Sequence, residues 1–230
     1  MHTVVGDAYV RRRILQDARL NLESEIALNL VRDAGESDYL LLDGASYFGG
    51  ERKFWVDLYG KCKEKGIKLL AISKQSPALH DEKGRDLVAA TYMLSFHPLW
   101  IYYPVTRANI HEHLYGDVSI IKLCEESSRV FRCDIMEYLT HYREVPELIS
   151  PLISISEDPR CIGYPVTLWL AHDFSTPSDS KLLHHHDQVE ETLADAGLLD
   201  VLRIEELSCN FPDELHGVKH PFEREWIEHV

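Results

Sequence analysis

The sequence lacks long hydrophobic runs and a basic N-terminal leader. No window approaches the ~18 consecutive apolar residues that a membrane span needs, and the longest apolar stretches, such as residues 99–105, have the length of a strand. The first seven residues contain no basic stretch followed by an apolar one, so we expect no export signal. These absences predict a soluble protein that does not enter a membrane.

Cysteine is scarce, and its spacing shows no pairing pattern. The five cysteines are Cys62, Cys124, Cys133, Cys161 and Cys209. They are odd in number, widely spaced and never in a CxxC pair, which disfavours both a disulfide framework and a thiolate zinc site. We therefore expect a reducing, cytoplasmic environment.

Positive charge is also in short supply. The chain has 24 Lys and Arg against 38 Asp and Glu, a net charge of −14 with histidines neutral. Unspecific binding to nucleic acid rests on Lys and Arg neutralising phosphates, so this balance taken alone disfavours nucleic acid as a partner. With 45% hydrophobic and 27% charged residues, the composition is that of an ordinary folded domain.

The order of helical and strand patterns predicts a mixed α/β fold. Residues 8–32 contain neither Pro nor Gly and carry apolar side chains at helical spacing, which predicts a long amphipathic helix. A buried strand at 39–42, a helix at 51–65 and a strand at 67–72 indicate a right-handed parallel crossover. The later expected elements are a helix at 86–94, a strand at 100–105, paired strands at 118–123 and 128–135, and helices at 146–155, 166–174 and 186–196.

Several polar residues in these elements are candidates for chemistry. Asp43 stands at the mouth of the first buried strand, Lys74 and Ser76 follow the second, and Glu23 and Glu25 lie on the long helix. An Asp in a strand-to-turn step is also a common turn former, and a Glu on an amphipathic helix is usually solvated. A Lys beside a Ser hydroxyl is typical of a phosphate clamp, although such a Lys also often points to water.

Tyr164 and His172 form a further candidate pair. They are eight residues apart, so a helix that begins at Pro165 can present both on one side. His172 fits a buried, satisfied imidazole as well as it fits a neutral nitrogen ligand of a divalent metal. Carboxylates with one imidazole suit manganese or magnesium better than thiolate zinc chemistry.

Taken in order, these segments resemble the NurA nucleases. The resemblance rests on the helical glutamates, Leu-Leu-Leu-Asp-Gly-Ala at 40–45, Gly66-Ile67 leading to Lys74-Gln75-Ser76, Arg132-Cys133-Asp134, and Gly163-Tyr164-Pro165 leading to Ala171-His172. It covers about residues 18–190. It implies a ribonuclease H-like mixed sheet with flanking helices, in a single domain over residues 1–230.

The resemblance also implies a function. It implies a manganese-dependent DNA nuclease, with magnesium as the alternative ion, of the 5′–3′ exonuclease and single-strand endonuclease type. Such an enzyme is expected to act on single-stranded DNA or DNA ends as a homodimer, with a HerA-like hexameric ATPase, in DNA end resection and repair. Bound divalent ions reverse the local negative field, so the net charge does not exclude DNA.

Residue roles follow from the same resemblance. The implied catalytic residues are Asp43, Glu25, Glu23, Tyr164 and His172, of which Asp43, Glu25 and His172 would bind the metal, and those towards the DNA backbone are Lys74, Ser76 and Arg132. Glu25 fits the family's separation between helix and strand more closely, whereas Glu23 fits an Arg-xxx-Glu pattern with Arg19. Both glutamates stay candidates.

The sequence also departs from the family pattern. The family's earlier Asp-Gly-Ser motif, on the first strand of its sheet, has no counterpart here, and Ala45 stands where Ser is usual. A sheet without its first strands is expected to expose unpaired backbone edges. Three explanations stay open: an inactive relative that binds or regulates the ATPase, a start site placed too far downstream, or one part of a split enzyme.

Overall fold

The computed structural model describes residues 8–46, 53–74, 79–80, 82–140 and 144–200. The chain divides into two compact units, one comprising 14–174 and the other 1–13 with 175–230. The helices are α1 (Ala8–Leu30), α2 (Lys53–Lys65), α3 (Leu87–Leu94), α4 (Glu137–Thr140), α5 (Val145–Ser154), α6 (Val166–Ser175) and α7 (Asp179–Asp195). The strands are β1 (Tyr39–Asp43), β2 (Lys68–Ser73), β3 (Trp100–Thr106), β4 (Gly116–Lys122) and β5 (Phe131–Met136).

Five strands of the described residues form one mixed sheet in the order β1-β2-β5-β4-β3. β1 and β2 are parallel, with Tyr39 opposite Lys68 and Asp43 opposite Ile72. The remaining neighbours are antiparallel. The predicted fold class, a mixed α/β sheet with flanking helices, is confirmed, as are the parallel arrangement of β1 with β2 and the pairing of β4 with β5.

The crossover forms because α2 and β2 bury matching apolar surfaces. α2 places Trp55, Leu58 and Cys62 on one helical face, and all three are buried in the same core as residues 69–72 of β2. The helix ends at Gly66, whose φ of +69° lies in the left-handed region that glycine adopts without strain. The chain then enters β2 directly, so the helix that precedes this strand fixes where the strand begins.

Two elements begin three or more residues away from the expected position. α7 begins at Asp179 rather than at 186, and an acid in the first turn of a helix is favoured by the helix dipole. β5 begins at Phe131 rather than at 128, because the backbone amide of Arg129 donates to the Ser127 hydroxyl at 3.0 Å and forms a turn there. The irregular tail that we expect after residue 204 lies outside the described residues. None of the described helices is long and apolar enough to cross a membrane.

Candidate active site

Asp43 and Lys74 meet at one edge of the sheet. Asp43 is the last residue of β1, and Lys74 comes directly after the last residue of β2. Because the two strands are parallel, both side chains leave the sheet at its carboxyl edge, where ligands of open α/β sheets bind. The ammonium of Lys74 donates to Oδ2 of Asp43 at 2.7 Å, and the two side chains are 40% and 36% exposed. This ion pair is therefore open to solvent and to a ligand.

Tyr164 joins this pair from a distant part of the chain. Its phenol donates to Oδ1 of Asp43 at 3.1 Å across a sequence separation of 121 residues. Its ring packs against Phe131 with centroids 5.1 Å apart, and the Lys74 ammonium lies 5.1 Å from the ring centroid. Burial and, after it, the charge of Asp43 raise the pKa of Tyr164 well above its ordinary value. The phenol therefore stays protonated and acts as a donor that orients Asp43.

The turn before α6 fixes the position of Tyr164. Gly163 has a φ of +85°, and a Cβ at this residue would lie 2.3 Å from the hydroxyl oxygen of Ser127. The Gly163 amide donates to the Ser156 carbonyl at 2.7 Å, and the Ser127 hydroxyl donates to the Ile162 carbonyl at 3.2 Å. Glycine is thus required here both for backbone conformation and for space.

The negative charge of Asp43 acts on Glu23, an acid of α1 whose side chain is 53% exposed. Glu23 forms an ion pair with Arg19, with 3.3 Å between Nε and Oε1. Its pKa is raised above its ordinary value by partial burial first; Arg19 opposes the rise, and the negative charge of Asp43 adds to it. Glu25 is exposed and follows Glu23 by two residues on α1, so the two side chains point in nearly opposite directions. We refer to Asp43, Lys74, Tyr164 and Glu23 as the Asp43 cluster.

The other predicted site residues have different surroundings. His172 is exposed on α6, and its role as a metal ligand stays a prediction. Ser76 lies outside the described residues. Arg132 is buried, and its Nε and Nη2 donate to the carboxylate of Asp134 at 2.6 and 2.8 Å. This guanidinium is occupied by a neighbouring carboxylate, and its role towards the DNA backbone stays a prediction.

Sequence reasoning missed a buried polar group that supports the site. Asp134 accepts hydrogen bonds from the amide and the hydroxyl of Ser46 at 2.7 and 2.9 Å, in addition to those from Arg132. The Ser46 hydroxyl also accepts the amide of Gly116 at 3.2 Å. Ser46 follows Asp43 by three residues, so these bonds anchor the turn that carries Asp43. One feature of the sequence could have indicated this buried group. Arg132 and Asp134 are two residues apart, which places two charged side chains on one face of a buried strand.

The carboxylates of the site are the type of ligand that a protein supplies to a hard divalent metal ion. Asp43 and Glu23 offer carboxylate oxygens, and magnesium-type sites are commonly held by one or two carboxylates, with water and substrate phosphate completing the coordination. In the part of the chain that the structure describes, no group of three or more His, Cys, Asp or Glu side chains is arranged to hold a metal ion. A metal at this site would therefore depend on substrate oxygens as well as on the two acids.

The fold has a counterpart among solved structures. The crystal structure of the NurA nuclease from Sulfolobus solfataricus matches with a TM-score of 0.56, covering 83% of this chain and 70% of that chain, at 17% sequence identity. No protein-family model and no curated protein matches the sequence. A match at this identity shows similarity of fold. The sheet that brings Asp43 and Lys74 together is thus similar to that of a NurA nuclease.

Proposed function

We propose that this chain is a metal-dependent nuclease that hydrolyses DNA phosphodiester bonds at the Asp43 cluster. The observation that carries the proposal is the convergence of a carboxylate, a lysine and a tyrosine from three separate elements at the carboxyl edge of the sheet. The similarity of this sheet to that of a NurA nuclease supports the reaction class.

The residues of the cluster suit the needs of phosphodiester hydrolysis. A manganese or magnesium ion held by Asp43 and Glu23, with His172 as a further predicted ligand, would supply an activated water and neutralise charge on the phosphate. Lys74 offers a second positive charge beside Asp43, and its ammonium is suited to bind a phosphate oxygen. Tyr164 holds the Asp43 carboxylate in one orientation through its hydrogen bond to Oδ1.

We extend the proposal to the substrate and partners that the sequence resemblance implies. The substrate is single-stranded DNA or DNA ends, and the activity is of the 5′–3′ exonuclease and single-strand endonuclease type. The protein works as a homodimer with a HerA-like hexameric ATPase in end resection. These points rest on the ordered motifs of the sequence.

Cleavage of end-labelled single-stranded DNA tests the proposal. The parent protein is expected to cleave with manganese and to stop when EDTA is added. Asp43→Asn should slow cleavage by at least about 100-fold, because it removes a charge that the metal needs. Asp57→Asn, on the exposed side of α2, is the matched control and should cleave like the parent. A folded parent that leaves DNA intact would contradict the nuclease and support the inactive relative that binds or regulates the ATPase.

A further inference from the structure

A cavity of about 610 Å³ opens beside the Asp43 cluster. Lys74 and Tyr164 belong to both the cluster and the cavity wall, so the two are continuous. The volume lies within the range of about 300–1,000 Å³ that is typical of small-ligand sites. We refer to this cavity as the Tyr164 pocket.

The residues that line the Tyr164 pocket include more cations than acids. Lys74, Arg129 and Arg160 line it together with one acid, Asp86. The Asp86 carboxylate is engaged at the start of α3, where it accepts the amide of Ala89 at 2.8 Å. In a protein with 38 acidic and 24 basic residues, this excess of cations in one cavity favours an anionic ligand.

Arg129 is the cation best placed to meet that ligand. Arg160 is held by Asp158, with its Nη2 and Nε at 2.8 and 3.0 Å from the carboxylate oxygens. Lys74 is shared with Asp43. Arg129 is exposed, and none of the ion pairs found among the described residues involves it. Its guanidinium can therefore bind a phosphate without losing an existing partner.

Aromatic rings form the rest of the wall. Tyr92, Phe131, Tyr164 and Trp169 line the pocket, and Tyr92, on α3, is 37% exposed. Trp169 already carries the Arg160 guanidinium 4.7 Å from its ring centroid, and Phe131 packs against Tyr164. Tyr92 is the most exposed of these four rings, with the Lys122 ammonium 6.0 Å from its centroid. Aromatic faces combined with cations that follow a backbone are typical of single-strand nucleic acid sites.

We propose that the Tyr164 pocket binds the nucleotide adjoining the scissile phosphate of single-stranded DNA, with its base stacked on Tyr92 and its phosphate bound by Arg129. This inference rests on the proposed nuclease function, because Lys74 and Tyr164 join the pocket to the Asp43 cluster. It assigns a substrate-binding role to Tyr92 and Arg129, neither of which belongs to the Asp43 cluster.

Equilibrium binding tests the pocket separately from cleavage. The probe is a fluorescein-labelled phosphorothioate oligothymidylate, titrated with the parent and variants with and without manganese, and followed by anisotropy over a range of salt concentrations. Tyr92→Ala is expected to weaken binding about tenfold and leave the salt dependence unchanged, because stacking is uncharged. Arg129→Gln is expected to weaken binding and lower the slope of log K against log salt by about 0.7, the share of one phosphate contact on a single strand.

Matched controls separate the pocket from the general surface. Arg32→Gln and Tyr102→Ala remove an exposed arginine and an exposed tyrosine outside the pocket, and both should bind like the parent. Arg129→Lys should restore the salt slope because it restores the charge. If the pocket variants bind like the controls, or if the parent does not bind the probe, the pocket assignment is overturned. If binding behaves as expected while the parent cleaves no DNA, the pocket stands and the proposed nuclease function fails.

Discussion

Two aspartates of the same sheet have opposite surroundings. The Asp43 side chain is 36% exposed and accepts one hydrogen bond from Lys74 and one from Tyr164. Asp134 is completely buried and accepts four, two from Ser46 and two from Arg132. A carboxylate has about four lone-pair positions, so Asp134 is fully used and Asp43 retains capacity for a ligand. The difference places Asp134 in the scaffold and leaves Asp43 as the candidate for the proposed chemistry.

The two aspartates are also connected. Ser46 joins them, because it follows Asp43 in the chain and binds Asp134 through both its amide and its hydroxyl. The buried acid therefore fixes the turn on which the exposed acid stands. Changes at the two positions should separate stability from activity.

The largest effect on stability is expected from Asp134→Asn. The substitution keeps the shape of the side chain but leaves the buried Arg132 without its counter-ion, which costs about 3–5 kcal/mol in the free energy of unfolding. Urea unfolding measures this loss. Asp158→Asn, which breaks the more exposed pair with Arg160, is the control and should cost much less. Equal losses in the two variants would remove the distinction between buried and exposed acids.

The next effect in size is expected from Gly163→Ala. The new methyl group collides with Ser127, and the residue must also hold a left-handed φ, so the loss in unfolding free energy should be about 2–4 kcal/mol. Gly84→Ala has a similar φ of +75° but open space around it, and it should cost only about 1 kcal/mol. Thermal unfolding of both variants checks this. A Gly163→Ala protein as stable as Gly84→Ala would show that the turn before Tyr164 can relax.

A small effect on stability is expected from Asp43→Asn. An exposed ion pair contributes about 1 kcal/mol or less, so the urea midpoint should stay close to that of the parent. The same variant is expected to lose DNA cleavage. A stability loss as large as that of Asp134→Asn would make Asp43 a scaffold residue and break the comparison.

The smallest effect concerns pH and Glu23. Because folding raises the pKa of Glu23 above 4.5, the native state binds more protons than the unfolded state just above this pH, and the contribution of this group to stability falls as pH rises through that window. Asp43→Asn removes one cause of the rise, so the pKa of Glu23 should move down. NMR titration of the Glu23 carboxyl measures the change. An unchanged pKa would mean that Glu23 does not interact with Asp43.

Local pattern was sufficient to predict most of the elements. The apolar runs at 39–42 and 67–72 and the stop at Gly66 predicted β1, α2, β2 and their parallel order, because each signal lies within a few residues of the element it defines. The carboxyl edge shared by Asp43 and Lys74 followed from that order. The early start of α7 was missed although the sequence carries a start signal there, with Ser178 at the N-cap and Asp179 in the first turn.

The long-range parts of the site were harder to predict. Sheet register decides that Asp134 stands opposite Ala71 and Val118, and no local pattern fixes register. The bond from Ser46 to Asp134 was therefore missed. Helix rotation separates Glu23 from Glu25, and which of the two faces Asp43 depends on the position of a distant strand. Tyr164 was a candidate through its spacing to His172 and through the family resemblance, but nothing near it in sequence indicates its bond to Asp43.

The hydrogen bond between Tyr164 and Asp43 also bears on when the site can form. It joins residues 121 positions apart, so it depends on nearly all of the unit between residues 14 and 174 having folded. Synthesis proceeds from the N-terminus at about 5–20 residues per second, so the chain holds Asp43 and Lys74 for several seconds before Tyr164 has been made. An unfinished chain on the ribosome therefore lacks the orienting tyrosine, and the proposed cleavage of DNA waits for the completed fold.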